Sequence, residues 1–267
     1  MALADTALAT HRISKTEPYK ALLAYFEWST TALRRLVPLL GPKEAERLIA
    51  TPRHWMLQAA SPESIQRDRL QSLVSLELEE RSKELLDAAT EIQLEFAAWG
   101  GGKAVVAVLD TNILIDHHQD LLQVNWNSKL NEFYEVPVVL AIPMKVIDEL
   151  DTLKDRGDKI RGKARLALKM IEDTFRGGLS TRLMLERSVS SGSQMNSAIM
   201  MKIVEDDLEH VPLAMADSEI VDRALSVSSL AKQTWVITND TGMRFRAVSA
   251  GLRTDKLSYE VDVQHGR

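Results

Sequence analysis

Apolar positions along the chain change their period at Lys103. Before it they recur every three to four residues, the spacing of one face of a helix; after it they come as short unbroken runs separated by helical stretches. Tyr19 to about Trp99 therefore reads as helical. Ala24, Tyr25 and Phe26 lie in a first segment, and Leu33, Leu36, Val37 and Leu40 in a second. Gly41-Pro42 ends the second, because proline cannot continue a helix and glycine accepts the left-handed cap conformation. A short segment from Lys43 to Ala50 follows. A long helix then starts at Ser61-Pro62, since serine is a good N-cap and proline suits the first helical position. Its apolar stripe is Ile65, Leu70, Leu73, Val74, Leu85, Leu86, Ile92 and Phe96, and Glu77, Glu79, Glu80, Arg81, Lys83 and Glu84 form its wet face. The stripe serves either packing within the chain or a dimerising coiled coil. Gly100-Gly101-Gly102 breaks the helix and marks a domain boundary. Residues 1–18 are small and polar and read as a flexible tail. The expected organisation is thus a tail at 1–18, a helical domain at 19–102 and a second domain at 103–267.

Beyond Lys103, Ala104–Leu109 is wholly apolar and rich in β-branched residues, the signature of a strand buried on both faces of a parallel sheet. Val136 to Ile142 is a second such run, Thr181 to Glu186 a weaker third, and Thr234 to Thr238 another. Helical patterns alternate with them: Pro143 to Lys154, Lys159 to Phe175, Asp217 to Leu230 and Met243 to Gly251. This alternation implies an α/β fold, a mostly parallel sheet flanked by helices, preceded by an all-α N-terminal domain. Ser188 to Val211, with Ser190–Ser193 and Glu205–Asp207, reads as a surface excursion.

Four carboxylates fall where α/β folds place function. Asp110 follows the first strand and Asp240 follows the last of these runs; Asp217 opens a helix, and Glu149 lies on the helix after the Val136–Ile142 run. Singly, Asp110 and Asp217 serve equally as helix caps and Asp240 as a turn residue. Asp148 and Asp151 stand as alternatives to Glu149. Together, clustered carboxylates need an offsetting charge, and hard divalent cations such as Mg²⁺ or Mn²⁺ supply it through oxygen ligands. A net charge of −5 requires any nucleic-acid contact to be local. Lys159 to Lys169 holds Arg161, Lys163, Arg165 and Lys169 without an acid, and Arg161, Arg165 and Lys169 share a helix face suited to phosphates. Arg244 and Arg246 follow Asp240 and add to that charge.

The ordered motifs Val108–Leu114, Ile142–Asp151, Ala216–Val221 and Val236–Phe245 resemble the PIN-domain family over roughly residues 104–252. The Ile160–Arg165 stretch looks like a basic segment of PIN domains fused to PhoH-like ATPases. The resemblance implies a PIN-like parallel sheet whose acidic residues converge at one edge. It also implies an Mg²⁺- or Mn²⁺-dependent nuclease, most often acting on RNA rather than DNA and leaving a 5′-phosphate. Asp110, Glu149, Asp217 and Asp240 fall on the family's four acidic positions, with Asn112, Thr238 and Asn239 as supporting polar residues. A toxin-type RNase and a non-catalytic nucleic-acid-binding or scaffold protein are the rival readings. The N-terminal helices offer a surface for a second copy or a protein partner.

Other chemistry is disfavoured. The absence of cysteine removes disulfides, thiolate metal sites and a cysteine nucleophile. No P-loop, dinucleotide fingerprint or serine nucleophile elbow occurs, and Asp110-Thr111-Asn112 lacks the second aspartate of a haloacid-dehalogenase-type phosphatase. Asp116-His117-His118 resembles a phosphoesterase signature, but successive helical residues diverge by about 100° and chelate poorly. Met1 to Lys20 has no apolar core of a signal peptide, and no apolar run reaches the roughly 18 residues of a membrane span. A cytoplasmic protein without a membrane partner is expected.

Overall fold

The computed structural model describes residues 2–13, 18–59, 67–155, 159–177, 181–188, 196–206 and 210–258. The chain parts into two compact units, Met1–Leu94 and Glu95–Arg267, dividing inside the long helix ahead of the three glycines.

The helical spacing of the first unit builds α1 (Ala2–Ile13), α2 (Pro18–Leu40), α3 (Pro42–Ile49), α4 (Pro52–Ala59) and most of α5 (Arg67–Ala98). The two segments expected before Gly41 are one continuous helix, α2. The expected start at Ser61-Pro62 and Ile65 lie outside the described residues. Residues read as a tail form α1 instead. Ala4 and Ala7 are fully buried, because side chains this small let a helix approach closely. The Trp28 indole then donates to the Leu3 carbonyl at 3.2 Å. On α5, Leu70, Val74, Leu78 and Leu85 enter the core, whereas Leu86, Ile92 and Phe96 stay exposed.

Glu77, placed by pattern on the wet face of α5, is instead fully buried. Charge explains the difference. Its carboxylate accepts from Thr51 Oγ1 at 2.6 Å and Arg53 Nη1 at 2.9 Å, and Arg81 Nε lies 3.3 Å away. Arg81 also donates to the Leu48 carbonyl at 2.8 Å. Glu77→Ala strips two guanidinium groups of their shared counter-charge and is expected to destabilise the protein by about 3–5 kcal/mol. Urea denaturation measures this; a loss below about 1 kcal/mol would show that water or another acid replaces Glu77.

The second unit is an α/β layer structure. Its elements are β1 (Val105–Leu109), α6 (Thr111–His117), α7 (Trp126–Lys129), β2 (Val138–Pro143), α8 (Met144–Leu153), α9 (Lys159–Thr174), β3 (Thr181–Ser188), β4 (Asn196–Val204), α10 (Ala216–Ser228), β5 (Gln233–Ile237), α11 (Thr241–Ser249) and β6 (Arg253–Asp255). The sheet runs β3-β4-β2-β1-β5-β6. Every neighbouring pair is parallel except β3 with β4. Each residue of β1 and β2 is buried, which is why both read as unbroken apolar runs.

The surface excursion expected at Ser188–Val211 is corrected by β4. Asn196–Val204 pairs in parallel with β2 from Val138↔Ile199 to Pro143↔Val204, and Ile199 and Met201 are buried. Ser190–Ser193 lies outside the described residues. Among the described residues, no helix is long and apolar enough to cross a membrane.

Candidate metal centre

The parallel register brings the carboxyl ends of β1 and β5 side by side, with Leu109 opposite Ile237. The Asp110 amide donates to the Ile237 carbonyl at 3.1 Å, fixing the start of one βα turn against the end of the neighbouring strand. Asp110 N-caps α6, its Oδ1 accepting from the Thr111 amide at 2.6 Å. Its Oδ2 accepts from Asn112 Nδ2 and from Thr238 Oγ1, each at 2.5 Å. Thr238 Oγ1 in turn accepts from the Asp240 amide at 3.0 Å, and Asn112 Oδ1 accepts from the Asn239 amide at 3.2 Å. Asn239 also exchanges two hydrogen bonds with the Leu257 backbone. The three polar residues expected to support the acids thus tie the turn after β1 to the turn after β5.

The other acids approach from neighbouring helices. Glu149, half-buried on α8, accepts from Thr111 Oγ1 at 2.5 Å. Asp217, in the first turn of α10, faces Arg246 Nη1 at 3.4 Å. Burial pushes the Asp110 carboxyl up from 3.8 to about 6. Glu149 and Asp217 push the same way, against the Thr238 hydroxyl and the Thr111 amide, which pull it down. Asp110, Glu149 and Asp217 therefore share one field. Asp240 stands apart from them: it is exposed, and its Oδ1 N-caps α11 by accepting from the Met243 amide at 2.7 Å. Asp148 and Asp151, the alternatives to Glu149, are exposed, and Asp151 pairs with Lys154. A cavity of about 340 Å³ opens beside Thr111 and Glu149 and is lined by Lys145, Asp148 and Thr152.

The basic residues divide. Arg161, Lys163, Arg165 and Lys169 are all exposed on α9, opposite the buried Ala164, Ala167 and Ile171. Lys163 pairs with Asp116 of α6 at 2.7 Å, across to the helix that Asp110 caps. Arg161, Arg165 and Lys169 have no ion-pair partner among the described residues. Arg244 is half-buried with its Nε shielded and unpartnered.

Residues 107–258, more than half of the chain, match the family model for the PIN domain. The chain belongs to the PIN domain family. No curated protein matches the chain. The family is one of metal-dependent nucleases, and the residues present in this PIN domain suit a divalent cation. The donors around Asp110 are carboxylates and hydroxyls, the set preferred by hard cations. The Asp110 carboxyl, raised chiefly by burial and further by Glu149 and Asp217, has no ion-pair partner among the described residues, and a cation would neutralise its charge. Among the described residues the four expected acids do not close into a tight cage. That geometry suits a cation that keeps much of its water.

A second group in the PIN domain does close tightly: ligand atoms of Asp206, His210 and Glu219 lie within 4.8 Å of one another. Arg223 occupies it. Its Nη2 contacts His210 Nδ1 at 3.1 Å and its Nε lies 3.5 Å from Glu219 Oε1. Since arginine only donates, His210 Nδ1 accepts, and its Nε2–H donates to Glu219 Oε1 at 2.5 Å. Glu219 Oε2 accepts from the Leu213 amide at 2.7 Å. The group is a polar staple holding the segment before α10, and so the helix start that carries Asp217. Sequence reasoning missed it because Glu219 follows Asp217 on a helix and reads as solvated, although it is buried.

Proposed function

We propose that the protein is a divalent-metal-dependent endoribonuclease whose centre is Asp110, Glu149 and Asp217, with Asp240 at its rim. The observation that carries this reading is the buried Asp110 carboxyl, raised to about 6 by burial and by Glu149 and Asp217, at the carboxyl end of a central parallel strand. Mg²⁺ or Mn²⁺ held there supplies Lewis acidity toward a phosphate oxygen. Thr238 and Asn112 hold Asp110 in its rotamer by donating to Oδ2, and Thr111 positions Glu149. Glu149 is placed to orient or deprotonate an attacking water. The Arg161–Arg165–Lys169 face steers the strand by its phosphates, which an acidic centre alone would repel. Leu86 and Ile92, exposed on α5, give the N-terminal helices an apolar surface for a second copy or a partner.

Labelled RNA and single-stranded DNA of one sequence, incubated in parallel with EDTA, Mg²⁺ or Mn²⁺, test the reading. Chelator-sensitive internal cleavage, faster on RNA, is expected; no cleavage of either strand with either metal would overturn it. The basic face carries its own prediction. Combining Arg161→Gln, Arg165→Gln and Lys169→Gln should flatten the plot of log Kd against log salt for a single strand by about 2, at roughly 0.7 per phosphate contact. An unchanged slope would remove α9 from the interface.

A further inference from the structure

We propose that Phe245, with Arg246 beside it, is a stacking subsite for an unpaired nucleobase of the substrate strand. The inference rests on the nuclease reading above and adds a contact that reads bases rather than phosphates.

Phe245 is 71 % exposed. α11 buries Met243 and Ala247, so the residue midway between them is turned away from the core. A phenylalanine left in water forgoes a stabilisation its burial would bring, and here it does so beside a candidate catalytic centre. It lines an open cavity of about 680 Å³ together with Ser218, Val221, Gly242 and Arg246. Ser218 directly follows Asp217, and Gly242 lies two residues after Asp240. The cavity is therefore lined by residues adjacent in sequence to Asp217 and Asp240.

Spacing and charge name the occupant. Phe245 lies five residues beyond Asp240, about 7 Å along the helix axis at 1.5 Å per residue. That is the reach of about two stacked nucleotides at 3.4 Å each. Arg246 is held at the cavity wall by Asp217 Oδ2 at 3.4 Å and Met215 Sδ at 4.0 Å. Gly242 makes room for it: a Cβ there would lie 3.2 Å from Asp240 Oδ1 and 3.3 Å from Arg246 Nη1. An exposed aromatic face next to a fixed guanidinium is the pairing that holds single strands, the ring stacking on a base and the cation meeting a phosphate or a second base face. A strand crossing the acidic centre toward α11 thus finds a hydrophobic seat for a base about two nucleotides beyond Asp240 at the rim.

The test uses the full chain carrying Asp110→Asn, so that bound RNA is not consumed, and an RNA with a single 2-aminopurine moved one position at a time. At one position the fluorescence should be quenched on binding. Adding Phe245→Ala should abolish that quench and weaken binding by about 5- to 150-fold, the range for losing one stacked base. Phe245→Trp should preserve both. The salt slope should stay unchanged in Phe245→Ala, because stacking releases no counter-ions, which separates this contact from the α9 face. Unchanged quench and affinity within two-fold in Phe245→Ala would overturn the subsite while leaving the nuclease reading intact. If the wild-type chain neither bound nor cleaved any strand, both readings would fall together.

Discussion

Asp110→Asn should lower Mn²⁺-supported hydrolysis by on the order of 10³-fold, the scale of losing one preorganised electrostatic group. The substitution keeps the shape of the side chain, and an asparagine oxygen still accepts the Thr111 amide that Asp110 Oδ1 now accepts. What changes is charge. Oδ2, the atom that receives both Asn112 and Thr238, becomes an amide nitrogen that neither neutralises a cation nor accepts those donors. The loss should fall on kcat more than on KM if, as proposed, strand affinity comes from the basic face and from phosphate contacts outside the centre. Glu149→Gln should lose activity too, whereas Asp151→Asn, at an exposed residue paired with Lys154, should not. Cleavage by Asp110→Asn within ten-fold of wild type would place the chemistry elsewhere.

The second large effect is on stability without metal, and its sign follows from the raised carboxyl. Asp110 ionises near 3.8 in an open chain and at about 6 in the fold. Below pH 3.8 both states hold the proton and the group imposes no cost. Between these values the unfolded chain loses its proton first, so folding must retain one. Above 6 the folded state carries a buried charge, and the full difference of about two pKa units, on the order of 3 kcal/mol, opposes folding. Stability from this group is therefore present at low pH and lost as pH rises through 6. Thermal melts in EDTA at pH 5 and pH 7.5 check this by difference. Wild type should fall relative to Asp110→Asn by several degrees across that interval, at about 2–4 °C per kcal/mol. Mn²⁺ should restore wild type at pH 7.5 and do little for the variant. Parallel pH curves for the two proteins would show that the carboxyl is not strained by its surroundings.

These effects were foreseeable to different degrees from residue order. β1 and β2 were legible because strands covered on both faces need apolar residues at every position. Asp110 and Asp217 were legible because a strand end and a helix start confine where a carboxylate can point. β4 was hidden by its lysine. Lys202 reads as a solvated residue, yet it is buried, with its amine 3.0 Å from Glu95 and 4.8 Å from the centre of the Trp99 ring. Glu77 and Glu219 misled in a related way: each is an acid on a helix with an arginine one turn on, which reads as a solvated surface pair, and the partners that accompany its burial, Thr51 and Arg53 for Glu77 and His210 with the Leu213 amide for Glu219, lie outside that helix. Phe245 escaped notice because periodicity flags residues that fit a core and is silent about an aromatic that avoids one. Asp240 shows the limit from the other side. Its place after β5 was plain, but whether its oxygens face the centre or the helix it caps depends on the turn geometry, and the cap takes one of them.

The hydrogen bond from Thr238 to Asp110 joins residues separated by 128 positions. A contact between residues so far apart can form only after the whole intervening chain has been made. A ribosome making this protein thus releases a β1 turn long before the strand that completes it. In the growing polypeptide the cluster around Asp110 therefore stays unassembled until β5 has docked.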